Sequence, residues 1–295
     1  MPLIDINTDA LVSILQYLDF RQLCLLRQVC KILHFVLNNP IAWRFSTLSI
    51  DFPEQIPTSS SIQYAHRLVL NESDETSYRD VVKHVKLVAE LPFLTELVCA
   101  EWNRYLHNIL KGQGQAIAWR KNLKRLCCPG LDIFAANFGA IFPNLSHLEV
   151  NSLGCFDVED LDIQCRFPNL TSLHLGKILL HGSGHSYAQP IKLSNITDFR
   201  IDKLRCPIDG PNLTSLHCDC VYTPINVNIP ICPLPLLKHL HFPFFYSSEW
   251  ENLARLQLQS LESLSIDITD DMAANSQSIF SCIAQMNSLL KFKLK

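Results

Sequence analysis

The chain has 295 residues, of which 48% are hydrophobic and 18% are charged, and its 25 Lys and Arg nearly balance its 28 Asp and Glu. This apolar content excludes disorder and can supply a sizeable core. The net charge of −3 leaves no broad basic field, so we expect neither nucleic acid nor a membrane surface as a partner. No apolar run approaches the ~18–20 residues of a membrane span, and the first residues lack a secretory signal. We therefore expect an intracellular location, cytoplasmic, nuclear or both.

The twelve cysteines would suggest disulfides in a secreted protein, but inside a cell they remain reduced. Cys99, Cys128 and Cys218 occupy positions where related segments carry aliphatic or aromatic residues. We expect them to act as small buried hydrophobic side chains. Their spacing also lacks the Cys-x2-Cys pairs of a structural zinc site.

Residues 6–43 predict three short, closely connected helices. Asn7 or Thr8 can cap the first helix, and Asp19 with Gln22 forms the sequence pattern of a capping box at the start of the second. The third helix ends near Pro40. Three helices of this size cannot bury all their large apolar side chains among themselves, so another part of the chain or another protein must cover some of them.

From about residue 45 the sequence repeats itself. The clearest copies are FPNLSHLEV (142–150), FPNLTSLHL (167–175) and GPNLTSLHC (210–218). Each contains apolar-x-x-apolar-x-apolar, and a spacing of about 25 residues lies within the range of leucine-rich repeats. The central apolar residues of all copies are Leu48, Leu68, Leu97, Leu126, Leu148, Leu173, Phe199, Leu216, Leu240, Leu264 and Phe292.

The pattern resembles the leucine-rich-repeat family and predicts an irregular solenoid of about ten to eleven repeats over residues 45–295. Each repeat supplies a short strand whose alternate side chains point inward, and parallel stacking buries what one repeat could not bury alone. One departure is clear: the Asn or Cys expected five residues after the central leucine is replaced, mostly by apolar residues. These are Trp102, Leu131, Leu153, Ile178, Leu204, Val221, Phe245 and Thr269.

The intervening segments predict outer helices at 77–91, 103–118, 131–140 and 271–286, and a loop at 182–190. Five Asn-x-Ser/Thr sequences are explained better by the repeat than by glycosylation, because three lie in its Pro-Asn-Leu-Ser/Thr phrase. They begin at Asn71, Asn144, Asn169, Asn195 and Asn212.

The first segment resembles an F-box. Three phrases of that family occur in order: I-L-x-Y-L-D at 14–19, R-x-V-C-K at 27–31, and N-x-P-x-x-W ending at Trp43. The opening Leu-Pro of the family is Ile6-Asn7 here, which can weaken contact with a partner, although Asn can also cap a helix. The chain resembles F-box/leucine-rich-repeat proteins, and we therefore expect an α/β fold class, with an F-box at 1–44 and repeats at 45–295.

The resemblance implies a substrate receptor of a Skp–cullin–F-box ubiquitin ligase. The F-box would dock on a Skp-family adaptor and reach the cullin through it, while the repeats bind a protein substrate. The resemblance also implies the adaptor contacts, although any one of these residues can instead belong to the helices' own core, and Trp43 can seal the joint with the first repeat. They are Ile6, Leu11, Ile14, Leu15, Leu18, Leu23, Leu26, Val29, Cys30 and Trp43.

The outward-facing positions of the predicted sheet carry a run of basic and imidazole side chains. This surface can be an ordinary solvated face, or it can recognise an acidic or phosphorylated segment. In the second case the Arg200 guanidinium would donate two parallel hydrogen bonds to the acidic group, and partly protonated histidines would add to the binding. We expect no metal here, because no carboxylate or cysteine arrangement completes a chelate. The candidate substrate-binding residues are Arg125, His147, His174, Arg200, His217, His239 and His241.

The sequence contains none of the common catalytic or nucleotide-binding motifs, so we expect a protein that is not an enzyme and needs no cofactor. A ligase receptor requires neither, since it acts by bringing a target close to chemistry performed elsewhere. The rival hypothesis is a leucine-rich-repeat binding scaffold that acts outside any ligase.

Overall fold

The structure of the chain is a computed structural model. It describes residues 7–43, 46–51, 63–71, 91–99, 118–134, 142–155, 162–180, 190–204, 207–221, 234–242, 260–266, 283, 286 and 288–294. The chain divides into two compact units, 1–131 and 132–295.

Unit 1 begins with the predicted helices. They are α1 (Thr8–Leu15), α2 (Phe20–Val29), α3 (Lys31–Val36) and a short 3₁₀ helix (Pro40–Trp43). Asn7 caps α1, its side-chain oxygen accepting a hydrogen bond from the backbone N–H of Asp9 at 3.0 Å. The capping box of α2 is complete, because Asp19 accepts from the backbone N–H of Gln22 while the Gln22 side chain accepts from the N–H of Asp19. Both helix starts predicted from the sequence are therefore confirmed.

Trp43 links the 3₁₀ helix to α2 and to the segment around Tyr64. Its ring lies 5.1 Å from the ring of Phe20 on α2 and stacks 5.9 Å from that of Tyr64. Its indole N–H donates to the backbone carbonyl of Leu37 at 2.7 Å, and no part of the side chain is exposed. An indole buried with its polar atom satisfied is a strong packing anchor, so Trp43 packs the 3₁₀ helix against α2 and against Tyr64.

The described residues of unit 1 also form four parallel strands, each hydrogen-bonded to the next: β1 (Thr47–Asp51), β2 (Arg67–Asn71), β3 (Glu96–Cys99) and β4 (Arg125–Phe134). The boundary between the units falls within β4. A short helix, α4 (Ala118–Asn122), precedes β4. The predicted central residues Leu48, Leu68, Leu97 and Leu126 pair in register and are buried.

Unit 2 repeats the same arrangement, with seven further parallel strands in its described part. These are β5 (His147–Cys155), β6 (Ser172–Leu180), β8 (Asp198–Leu204), β10 (Ser215–Val221), β11 (His239–Phe242), β12 (Ser263–Ile266) and β13 (Lys291–Leu294). A separate two-stranded sheet pairs β7 (Ile191–Lys192) with β9 (Ile208–Asp209), and α5 (Ile163–Arg166) precedes β6. The central residues again share one register, from Leu148 to Phe292. The predicted α/β class with parallel repeats is confirmed.

Polar side chains four residues before the central leucine tie each repeat to the one before it. Asn169 donates to the carbonyl of Pro143 at 2.9 Å, and Asn212 donates to that of Ser194 at 2.7 Å. Asn122 and Ser260 make equivalent bonds to the carbonyls of prolines in the preceding repeats, both at 2.8 Å. This ladder replaces the family's usual asparagine, which the sequence lacks five residues after the central leucine. It also explains the recurring Pro-Asn-Leu phrase as structural.

Threonines form a second ladder two residues before the central position. The hydroxyl of Thr171 donates to the carbonyl of Ser146 at 3.1 Å, that of Thr197 to Thr171 at 3.3 Å, and that of Thr214 to Thr197 at 2.9 Å. Backbone N–H groups of the same residues donate to the same carbonyls. Each repeat therefore satisfies carbonyls of its neighbour at the point where the strand begins.

The predicted helix at 131–140 is wrong in its first four residues, which continue β4. Leu131 and Ile133 are buried while Asp132 is exposed, and this alternation is that of a strand, so the apolar pair two residues apart was the better signal. The remainder of that prediction, 135–140, lies outside the described residues, as do nearly all of the other predicted helices (77–91, 103–118, 271–286) and the loop at 182–190.

Cys99, Cys128 and Cys218 are buried, as expected of cysteines that take the place of aliphatic side chains. Burial raises the pKa of the Cys128 thiol well above its usual range, and a hydrogen bond with Cys99 on the neighbouring strand acts in the same direction. The Cys128 thiol is therefore inert at neutral pH. No helix in the described part of the chain is long and apolar enough to cross a membrane.

Candidate partner-binding surfaces

The helices of unit 1 expose an unusual amount of large apolar surface. Leu25 and Val29, one turn apart on α2, are 66% and 67% exposed, and Phe35 on α3 is 77% exposed. In the rest of the described chain such residues are few and scattered: Phe93, Leu236, Leu290 and Phe292. We call the exposed set the helical face. It comprises Ile14, Tyr17, Leu25, Val29, Ile32, Phe35 and Ile41.

The helical face is not the surface that a single amphipathic pattern predicts. On α2, Phe20 and Leu23 point into the unit's own core, whereas Leu25 and Val29 point away from it. A helix that is apolar on both sides is stable in water only when a second surface covers it. Five residues of the helical face lie on the three short α-helices, while Tyr17 follows α1 and Ile41 lies on the 3₁₀ helix. This density of exposed apolar side chains is that of an interface rather than of scattered surface residues.

The residues predicted to contact an adaptor divide into distinct groups. Ile14 and Val29 belong to the helical face. A second group is partly buried and consists of Leu18, Leu26 and Cys30. The buried group consists of Leu11, Leu15, Leu23 and Trp43. A side chain without exposed area cannot contact a partner unless the fold changes, so we assign this group to the helices' own core. Ile6 lies outside the described residues.

Sequence reasoning missed most of the helical face, namely Tyr17, Leu25, Ile32, Phe35 and Ile41. The signal was present in α2, where apolar residues follow two different helical stripes, one through Leu23 and one through Leu25 and Val29. Only one stripe can face the core of so small a unit. The second stripe therefore predicted an exposed surface, although the phrase-by-phrase resemblance drew attention to the first.

A second candidate surface lies on the outward side of the unit 2 sheet. The pairing of β6, β8, β10 and β11 aligns one residue of each strand, and we call these four the histidine row: His174, Arg200, His217 and His241. Adjacent strands lie ~4.8 Å apart, so these side chains are neighbours. The rings of His217 and His241 stack with their centroids 4.1 Å apart. The structure thus brings four of the predicted substrate-binding residues together.

Carboxylates interleave with the histidine row. His174 lies 3.1 Å from Glu149 through Nδ1 and 3.7 Å from Asp202 through Nε2. Arg200 Nη2 lies 3.8 Å from Asp219 Oδ2, and about 45% of the Arg200 side chain is exposed. The surface therefore carries mixed charge, and an acidic ligand would have to compete with carboxylates already in place.

Asp219 is the residue of this surface that sequence reasoning overlooked. It follows His217 by two positions on β10, so both side chains emerge on the same side of the sheet. His217 Nε2 and Asp219 Oδ1 are 2.8 Å apart, and donor atoms of His217, Asp219 and His241 all lie within 4.8 Å of one another. The expectation that no carboxylate lies where it could complete a chelate is therefore wrong. The i, i+2 spacing of a strand was the available signal.

The three remaining predicted residues lie elsewhere. Arg125 belongs to unit 1, where it lies opposite Glu96, which forms an ion pair with Arg67 at 3.5 Å. His147 begins β5 and is partly buried, whereas His239 is exposed on β11, two residues before His241. In register, His147 and His239 lie opposite serines of the adjacent strands.

Comparison with known protein families decides the nature of the helices. Residues 8–49 match the family model described as F-box-like. The chain carries an F-box-like domain. This domain contains α1, α2, α3 and the 3₁₀ helix, and so the entire helical face. F-box domains generally bind Skp-type adaptors. An F-box-like domain followed by parallel-strand repeats fits an F-box/leucine-rich-repeat protein.

Solved structures similar to the chain include two internalins of Listeria monocytogenes. Internalin C2 is 16% identical, with a TM-score of 0.29, and the match covers 87% of this chain and 84% of the internalin. A second internalin, inlF, is 13% identical, with a TM-score of 0.32, and the match covers 97% and 89% of the two chains. Comparison with curated protein sequences gave no match.

Proposed function

We propose that this chain is the substrate-recognition subunit of a Skp–cullin–F-box ubiquitin ligase. The observation that carries the proposal is the helical face, an exposed apolar surface on the segment that matches the F-box-like model. Covering this surface with the helices of an adaptor removes several large side chains from water, at about 25 cal/mol for each Å² buried. Through the adaptor the chain would be held on a cullin.

In this proposal the chain performs no chemistry itself. Its contribution is proximity: the F-box-like domain fixes the chain to the ligase, and the repeats hold a target so that its lysines meet the activated ubiquitin at high effective concentration. The substitution of Asn7 for the family's usual proline is compatible with this role. Asn7 supplies the cap of α1, so the helix start is preserved.

The experiment is co-purification of the intact chain from cells, followed by detection of a Skp-family adaptor and a cullin. Recovery of both supports the ligase role. Recovery of neither, from a correctly folded chain, favours the second candidate function, a leucine-rich-repeat scaffold that binds proteins outside any ligase. Deleting residues 1–44 is a poor control, because Trp43 packs on Tyr64 and its loss would disturb unit 1.

We further propose that the histidine row contacts the substrate. Arg200 is the most exposed cation of the row and can form two parallel hydrogen bonds with a carboxylate or phosphate. Because Asp219 already lies beside it, the best ligand is a segment that offers both an acidic group for Arg200 and a donor for Asp219. This mixed-charge ligand refines the expectation of a purely acidic or phosphorylated segment.

Arg200→Glu tests this contact on any captured substrate. The substitution should reduce capture, because it places a third carboxylate beside Asp219 and Asp202. Lys192→Glu, on β7 and outside the row, makes the same change of charge and should leave capture unchanged. Equal capture by both variants would contradict the proposed contact.

A further inference from the structure

The donor set of His217, Asp219 and His241 belongs to the surface that we propose contacts the substrate, and it offers a chemistry that substrate contact alone does not require. Two imidazoles and one carboxylate suit first-row divalent cations such as Zn²⁺, Fe²⁺ or Co²⁺. We propose that these three residues form a binding site for such a cation, with Zn²⁺ as the best-suited member. Neither the F-box-like match nor the repeats requires this site.

The backbone holds the three ligands on one side of the sheet. His217 and Asp219 alternate with Cys218, which is buried, so both point outward from β10. His241 lies directly opposite His217 in the pairing of β10 with β11. Ligand positions fixed by strand register need only side-chain rotation to close on an ion, and this lowers the entropy cost of binding.

The distances are compatible with a closed site. Ligand atoms about 2.1 Å from a tetrahedral zinc lie about 3.4 Å from one another. His217 Nε2 and Asp219 Oδ1 are already closer than this, at 2.8 Å, because they now share a hydrogen bond. The three ligand atoms lie within 4.8 Å of one another, and all three side chains are partly exposed. Side-chain rotations that move these atoms by roughly 1–1.5 Å would bring them to the spacing around one ion.

Arg200 holds the Asp219 carboxylate in an orientation that suits metal binding. Its Nη2 lies 3.8 Å from Asp219 Oδ2, the oxygen that does not face His217. A cation that replaces the shared proton therefore meets Oδ1, while Arg200 remains beside the second oxygen as an outer partner of the ligand. Three protein ligands leave one tetrahedral position for water or for a donor from a bound protein.

The test is a Co²⁺ titration of the full chain after treatment with a chelator, followed by competition with Zn²⁺. Co²⁺ should give visible d–d bands at one equivalent, without the near-ultraviolet charge-transfer band of a thiolate ligand. His217→Gln and His241→Gln should each weaken Zn²⁺ binding by roughly tenfold or more, since even outer partners of metal ligands are worth 10- to 100-fold. His239→Gln, an exposed histidine on the same strand as His241, should leave the affinity unchanged.

Absence of Co²⁺ binding by the wild-type chain would overturn the proposal. So would equal Zn²⁺ affinity in the wild type and in both ligand variants, or a thiolate band that persists in them, because these results would place the metal on the chain's cysteines. Thermal unfolding without metal checks that each variant is folded. If either glutamine variant is not, Asp219→Asn removes the charged ligand with almost no change of shape and must show the same loss of affinity.

Discussion

At the scale of single residues, the asparagine ladder gives the repeats their most specific contacts. We predict that Asn169→Ala lowers the free energy of unfolding by about 1 kcal/mol, because the carbonyl of Pro143 loses its donor. The measurement is equilibrium unfolding in urea, with far-ultraviolet circular dichroism as the signal.

Asn195 provides the matched control, because it occupies the equivalent position of the next repeat and is exposed. There the carbonyl of Pro168 accepts a hydrogen bond from the Gln164 side chain instead, and Asn195 is held through its backbone N–H. Asn195→Ala should therefore change stability by less than about 0.5 kcal/mol. Equal losses in the two variants would show that the ladder contributes nothing specific.

An exposed ion pair makes a prediction about pH. Lys238 Nζ lies 2.9 Å from Glu262, and this hydrogen bond and charge lower the pKa of Glu262 below its usual range. Because the folded-state pKa is the lower one, the pair stabilises the fold above the unfolded pKa of about 4.3, and this contribution is lost as the pH falls through the folded pKa. In Lys238→Met the pKa of Glu262 should rise, as measured by NMR titration of its side chain. An unchanged pKa would show that Lys238 is not the cause.

The outward residues also show where sequence reasoning stops. Which residues share a row followed from the repeat, because strand register is set by the buried alternation. The pairing of Arg200 with Asp219 did not follow, since it depends on side-chain rotamers and on a residue one step outside the repeat phrase. A charge pattern read along one row therefore overstated how basic the surface is.

At the scale of elements, Trp43 holds the 3₁₀ helix against α2 and against Tyr64, which precedes β2. Trp43→Ala should cost about 3–5 kcal/mol of unfolding free energy, the usual range for removing a large buried aromatic side chain. Trp43→Phe is the control: it keeps a ring between Phe20 and Tyr64 but loses the hydrogen bond to Leu37, so it should cost clearly less. Denaturant unfolding measures both. A loss below about 1 kcal/mol in Trp43→Ala would contradict the role of Trp43 as an anchor.

Elements with strong local signals could be predicted from the sequence. The capping box of α2 and the central residues of the repeats each combine several residues at fixed spacing, and local sequence then agrees with the fold. The first part of 131–140 was predicted to be helical because the spacing of its apolar residues fits a helix as well as a strand. Whether such a segment forms a strand depends on the strands beside it, which the segment alone does not reveal.

At the scale of the whole molecule, the chain combines an F-box-like domain with a series of parallel-strand repeats, and we propose that each binds a different partner. The F-box-like domain could be predicted because its phrases are specific in type and order. The two apolar stripes of α2 showed that one of them must be exposed, but which apolar residues of the domain are exposed follows only from the packing of the three helices. The identity of the substrate cannot be predicted from the sequence, because the outward positions of a sheet can vary without changing the fold.

The most direct test of the central claim is the affinity of the purified full chain for a purified Skp-family adaptor, measured by titration calorimetry. We predict saturable one-to-one binding that Leu25→Glu weakens roughly 30-fold or more, as expected for an anchor at an interface. Leu236→Glu, the same change at an exposed leucine of unit 2, should bind like the wild type. A folded chain that does not bind the adaptor, or one that binds equally well with Leu25→Glu, would contradict the account.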